Sequence, residues 1–99
     1  VFAQTVASET EVILVDNRST DGSVAFVRER FPQVRVIENA ENLGFAAAFN
    51  QGARSAAGDF VLTLNADIDL EPDFMEELLH AIRQDETIGA ATGKLYRML

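Results

Sequence analysis

Three short apolar runs alternate with stretches whose apolar residues recur at helical spacing, and this alternation constrains the fold more than any other feature of the chain. Glu11–Asp16 (EVILVD), Val34–Glu38 (VRVIE) and Phe60–Leu64 (FVLTL) are rich in β-branched residues and have the length of buried strands. Between the first two, Val24, Val27 and Phe31 predict a helix that Pro32 ends. Between the second and third, FAAAFNQGARSAA predicts an alanine-rich helix ending near Gly58. Pro72 suits the first turn of a further helix, whose apolar stripe is Phe74, Met75, Leu78, Leu79 and Ile82. Ile88–Ala91 opens a fourth candidate strand. Such alternation implies βαβ units and an α/β fold with a parallel sheet. Right-handed crossovers then bring the C-terminal ends of the strands to one edge, where open sheets bind their ligands. The polar loops Asn17–Gly22, Asn39–Gly44 and Asn65–Glu71 all belong to that edge.

Ninety-nine residues amount to one domain or part of one, and with 47% of them hydrophobic a packed core is expected. The net charge of -8 argues against a nucleic-acid partner, but not against a nucleotide carried by a metal ion. With no cysteine, disulfides and thiolate metal sites are excluded. No apolar run has the length of a bilayer span, and no signal peptide is visible. The chain starts at Val1 rather than methionine, as an excised segment would.

In DNRSTDGS (Asp16–Ser23), Asp21 and Ser23 can cap a helix and Gly22 can ease the turn, so a plain strand-to-helix connection explains most of the segment. A calcium loop fails on spacing, because Arg28 stands where a bidentate glutamate is needed. The functional alternative is that Asp16 or Asn17 hydrogen-bonds a base or ribose. ENLGFAAAFNQG lacks both GxGxxG and a Walker lysine. Its Gly44 lies where a helix begins, and free N–H groups there can face an anion. Gly52 inside that helix suits close packing against the sheet, whereas Asn50 needs a partner wherever it is buried. LTLNADIDLEPDF concentrates Asp67, Asp69, Glu71 and Asp73. A divalent cation on a diphosphate needs only one or two protein carboxylates, and Asp67, the first acid beyond the strand, is best placed to supply one. Asp69, Glu71 and Asp73 read as a solvated helix start. An aspartate-nucleophile phosphatase would want threonine where Glu71 stands. His80 shares a polar helix face with Glu76, Glu77, Arg83 and Gln84, which makes it a surface residue.

Together VILVDNRSTDGS, NLGFAAAFNQGARSAAGDF and VLTLNADIDLEPDFMEELL resemble the family 2 glycosyltransferases, over about Glu11 to Leu79. The variant with VDN, NLGF and N-x-D looks most like bacterial enzymes of the rhamnosyltransferase type. The resemblance implies a GT-A nucleotide-diphospho-sugar transferase fold, a Rossmann-like parallel sheet with flanking helices that is incomplete here. Residues 1–99 would be part of the donor-nucleotide-binding half of a single such domain. The implied activity is inverting transfer of a sugar from a dTDP-, UDP- or GDP-sugar to a hydroxyl of a saccharide or lipid-linked acceptor in cell-surface polysaccharide or glycolipid synthesis. The implied location is cytoplasmic, including the inner face of the membrane. Asp16 and Asn17 would line the nucleoside pocket; many relatives have aspartate at position 17, so Asn17 is a departure that leaves base preference open. Asn42 and Gly44 fall in the family's NxG segment near the donor. Asp67 matches the last acid of the metal-binding DxD motif and would contact Mg²⁺ or Mn²⁺, while Asn65, or Ala66 in the other alignment of the short motif, replaces the motif's first acid, and Asn65 would lie on the sugar nucleotide. The general base is expected downstream of Leu99. Two other classes remain: a catalytically inactive nucleotide-binding or interaction module, and a sugar nucleotidyltransferase, which would want a glycine- and lysine/arginine-rich phosphate loop that is not visible.

Relatives also open with a strand and helix, the strand lying between EVILVD and FVLTL, and VFAQTVASE resembles the end of that helix. Without that strand two sheet edges stay unpaired. The 99-residue chain on its own is therefore expected to be marginally stable and catalytically dead. A thermal melt and a sugar-nucleotide turnover assay check this; a cooperative melt accompanied by turnover would contradict it.

Overall fold

The computed structural model describes residues 1–65 and 68–93. Two compact units form, Glu11–Asn65 and a second made of Val1–Thr10 with the described part of the chain beyond Ala66.

In the first unit, β1 (Ile13–Asp16) pairs in parallel with β2 (Arg35–Glu38). The register sets Ile13 opposite Arg35, Leu14 opposite Val36, Val15 opposite Ile37 and Asp16 opposite Glu38. Between them runs α1 (Ser23–Arg30), which stops where the Phe31 N–H donates to the Val27 carbonyl and Pro32 follows. After β2 comes α2 (Phe45–Ser55), which packs on β1. Gly52 makes that approach possible. A Cβ built there would lie 3.1 Å from Cγ2 of Val15, tighter than ordinary van der Waals contact. The far end of α2 is tied down by charge. Glu11 accepts from the Ala57 N–H at 2.9 Å and pairs with Arg35 at 3.3 Å, and the Arg35 guanidinium reaches the Ser55 carbonyl. Helix α2 is two residues shorter than the expected FAAAFNQGARSAA, because Ala56 adopts an extended conformation.

In the second unit, a single 3-10 turn at Ala7–Glu9 stands where the sequence suggests the end of a helix. Gln4, buried, organises the start of α3 (Phe74–Ile82). Its Nε2 donates to the Glu71 carbonyl at 2.7 Å and its Oε1 accepts from the Met75 N–H at 3.0 Å. The Met75 N–H is an orphan donor of the helix N-terminus, satisfied from a distant part of the chain. The Thr5 N–H adds a bond to the Pro72 carbonyl at 2.9 Å.

Two expected strands do not form. Phe60–Leu64 and Ile88–Ala91 have no strand conformation. The physical reason is pairing: among the described residues the backbone over 61–64 joins no ladder, and a strand exists only through its neighbour. Val61, Leu62 and Leu64 stay exposed, and among the described residues the sheet has two strands. The expected packed core is likewise absent. No hydrophobic residue among the described ones is fully buried, and Ile13, Leu14, Val15, Val36 and Ile37 are only half-buried. The α/β class holds, as an incomplete Rossmann-like arrangement. None of the described helices is long and apolar enough to cross a membrane.

Gly52→Val is expected to separate α2 from β1, because a branched side chain cannot fit beside Val15. Denaturant unfolding should show a loss of about 1–3 kcal/mol, the usual cost of overpacking.

Candidate functional site

Parallel pairing brings the ends of β1 and β2 to the same edge, and the loops that leave them are bound to each other there. The Asn39 N–H donates to the Asp16 carbonyl at 2.8 Å, extending the ladder one residue past β2. Asp16 is buried, 8% exposed, and its Oδ2 accepts from the Ser19 N–H at 3.0 Å. That bond closes a turn around Arg18, whose φ of 64° lies in the left-handed region that side-chain-bearing residues seldom adopt.

Asn17 joins the two loops. Its Oδ1 accepts from Nδ2 of Asn39 at 3.1 Å and from the Leu43 N–H at 3.4 Å, while its Nδ2 donates to the Gly44 carbonyl at 3.3 Å. Asn39 and Gln51 exchange two further bonds, each 2.9 Å, which anchor the β2 loop to α2. Asn42 turns its own loop, with Oδ1 accepting from the Gly44 N–H at 2.8 Å. Gly44, at φ 85° and ψ 168°, takes a conformation essentially closed to other residues and starts α2.

Asp16, Asn17, Asn42 and Gly44, all singled out in the sequence, therefore meet at the C-terminal edge of the β1–β2 pair. Asn65 is exposed and has no hydrogen bond tying it to that group. Asp67, the residue assigned to a metal, lies outside the described residues. Among the described residues no three His, Asp or Glu side chains gather as a metal centre. The sequence reading missed Asn39 and Gln51. An asparagine just after a strand and a glutamine on a helix are ordinary surface choices, and only the fold shows that they touch. The N-cap of α1 is Gly22, with no side-chain cap bond, so neither Asp21 nor Ser23 caps the helix as expected; Asp21 instead forms a local turn in which Oδ1 accepts from the Ser23 N–H at 3.0 Å and from its hydroxyl at 2.5 Å. The hydroxyl bond, then the backbone bond, hold its pKa below the ordinary 3.8. Asn50 and His80 are exposed, which disposes of a buried unpartnered Asn50.

Comparison with known proteins agrees in kind. The family profile described as Glycosyl transferase family 2 matches residues 1–97. An uncharacterized glycosyltransferase of Haemophilus influenzae is 39% identical over 87 residues, which cover 88% of this chain and 29% of that protein. An N-acetylglucosaminyl-diphospho-decaprenol L-rhamnosyltransferase of Mycobacterium tuberculosis is 30% identical over 90 residues, 80% of this chain and 29% of that protein. An undecaprenyl-phosphate 4-deoxy-4-formamido-L-arabinose transferase of Aeromonas hydrophila is 39% identical over 79 residues, 75% of this chain and 24% of that protein. The chain thus spans less than a third of the length of these relatives. No solved structure gives a significant match.

The lowered pKa of Asp21 gives a pH dependence with a definite sign. A carboxylate whose folded pKa is depressed contributes stability above its unfolded value and loses it as the pH falls through the folded value. The melting advantage of the wild type over Asp21→Ala should therefore be complete above pH 3.8 and shrink below it, as thermal melts across that range would show.

Proposed function

The chain belongs to glycosyl transferase family 2, and from that premise we propose that it forms part of the donor-nucleotide-binding half of a single GT-A domain. The whole enzyme transfers a sugar, with inversion, from a nucleotide-diphospho-sugar to an acceptor hydroxyl in cell-surface polysaccharide or glycolipid synthesis. One observation carries the reading. Asn17, Asn42 and Gly44 form a hydrogen-bonded group next to Asp16 at the C-terminal edge of a parallel strand pair, where α/β sheets take their ligands.

Asp16 and Asn17 line the nucleoside pocket in this reading. The first N–H groups of α2, brought in by the Gly44 turn, favour the anionic diphosphate. Asn65 lies beside the sugar nucleotide, and Asp67 holds the cation. A lone aspartate is a hard oxygen donor, which suits Mg²⁺ or Mn²⁺ already carrying diphosphate oxygens and water. When bound, that ion neutralises charge on the departing diphosphate. The new bond joins the acceptor oxygen to the anomeric carbon as the bond to the diphosphate breaks. A base from outside this chain takes the acceptor's proton. The names of the mycobacterial and Aeromonas relatives support a lipid-linked acceptor and, with it, work at the inner face of the membrane.

Titration of the full-length protein with UDP, dTDP and GDP, each with and without Mn²⁺, tests the assignment. At least one nucleotide should bind in a metal-dependent manner. Asp67→Ala should weaken that binding roughly ten- to hundred-fold, as loss of a charged contact does. Binding that ignores the metal, or ignores the substitution, would contradict the assignment. Absence of all binding would favour an inactive interaction module over any nucleotide-binding reading.

A further inference from the structure

Helix α3 starts without the usual side-chain cap, and its head is met from far away in the sequence. Asp73 stands at the N-cap position and its side chain makes no capping bond. Four hydrogen bonds instead tie residues 4–5 to residues 71–76. Two come from the Gln4 amide, to the Glu71 carbonyl and from the Met75 N–H. The Thr5 N–H donates to the Pro72 carbonyl at 2.9 Å, and the Thr5 hydroxyl donates to Oε2 of Glu76 at 3.0 Å. Gln4 is 6% exposed, one of two buried polar residues among those described. Its partners dictate an amide, because the Glu71 carbonyl can only accept and the Met75 N–H can only donate. A carboxylate would meet the carbonyl acceptor against acceptor, and an apolar side chain would meet neither group.

Capping alone would not call for Gln4, since a serine or asparagine at position 73 serves a helix start equally well. Gln4 also fastens Glu71, which lies outside α3 at the end of the acidic stretch 69–71. A local bond from the Phe74 N–H to the Glu71 carbonyl closes the turn 71–74. The bonds from Gln4 and Thr5 then anchor that closed turn to the segment Val1–Thr10 of the same unit. Resting on the assignment of the cation to Asp67, we propose that Gln4 is a positioning residue: it anchors the turn 71–74 and thereby sets the acidic loop in front of that turn for the diphosphate-bound cation. Only Ile68, Asp69 and Leu70 separate Asp67 from the anchored Glu71 in the sequence. Gln4 itself touches neither cation nor nucleotide.

Mn²⁺ titrated into the full-length protein with UDP in excess, bound UDP being counted, tests the role. Gln4→Met keeps the size and removes both bonds. It should raise the half-saturating Mn²⁺ concentration about tenfold, the effect of polar groups left unpaired. The UDP bound per protein at saturating Mn²⁺ should not change, whereas a purely structural loss would lower it without shifting half-saturation. Gln4→Glu gives a second handle. A protonated acid donates to Glu71 and accepts from Met75 as the amide does, and a carboxylate cannot donate. Burial raises the pKa of such an acid, so it is neutral at low pH and charges as the pH rises through its folded value. Compared with wild type at the same pH, Gln4→Glu should need equal Mn²⁺ at about pH 5 and about tenfold more at about pH 8. Thr10→Ala, which removes a hydroxyl bond to the Val6 carbonyl in the same unit, should leave half-saturation unchanged. Unchanged half-saturation in Gln4→Met, or an equal shift in Thr10→Ala, would overturn the positioning role. Where Gln4→Met does not fold, Gln4→Glu decides, and a ratio to wild type that stays constant across that pH range would overturn it. Metal-dependent binding that Asp67→Ala removes and both Gln4 variants leave intact would overturn this inference alone. A wild type without metal-dependent binding would overturn the Asp67 assignment with it.

Discussion

Everything at the candidate site depends on the parallel ladder between β1 and β2 and on its register. With Asp16 opposite Glu38, the two strands end together, and the Asn39 N–H adds one further bond to the Asp16 carbonyl. An antiparallel pair would send the two loops to opposite ends of the sheet, and Asn17 would never meet Asn39, Leu43 and Gly44. Because the strands are parallel, a long crossover must connect them, and α1 supplies it in the usual helical form. Asp16, at the end of that ladder, is buried. Its bond to the Ser19 N–H holds the β1 loop in the turn that sets Asn17 in place.

Polar cross-links carry an unusual share of the organisation, since no hydrophobic side chain among the described residues is fully buried. Glu11 and Arg35 bind the C-terminal end of α2 to the first strand pair, and Gln4 does the corresponding work for α3 in the other unit. Exposed pairs such as Arg28–Glu38 contribute little by comparison, on the order of 0–1 kcal/mol. Apolar side chains at Phe26, Leu43, Phe45 and Val61 remain at the surface.

Where local pattern decided the outcome, the sequence was a reliable guide. β-branched runs gave β1 and β2, Pro32 bounded α1, and Gly52 anticipated the contact with Val15. Gly44 was readable as the start of a helix and Asn42 only through the family resemblance; that Asn42 turns its own loop is visible in the structure alone. Where the outcome depends on a neighbour, local pattern failed. FVLTL has strand composition, yet composition cannot supply the adjacent strand that a ladder requires. The Asn39–Gln51 exchange joins residues from a loop and a helix, and neither residue type announces the other. Asp67 was read from its position after an apolar run and from family resemblance, and it lies outside the described residues.

The central claim is that the C-terminal edge of the β1–β2 pair, with Asn17 at its middle, receives the nucleotide. A crystal structure of the full-length protein with UDP and Mn²⁺ tests it most directly. The base should lie over the ends of β1 and β2, with the Asn17 side chain within about 3 Å of it, the ordinary hydrogen-bond distance. A nucleotide seated elsewhere, with the Asn17–Asn39–Gln51 group facing only solvent, would contradict it.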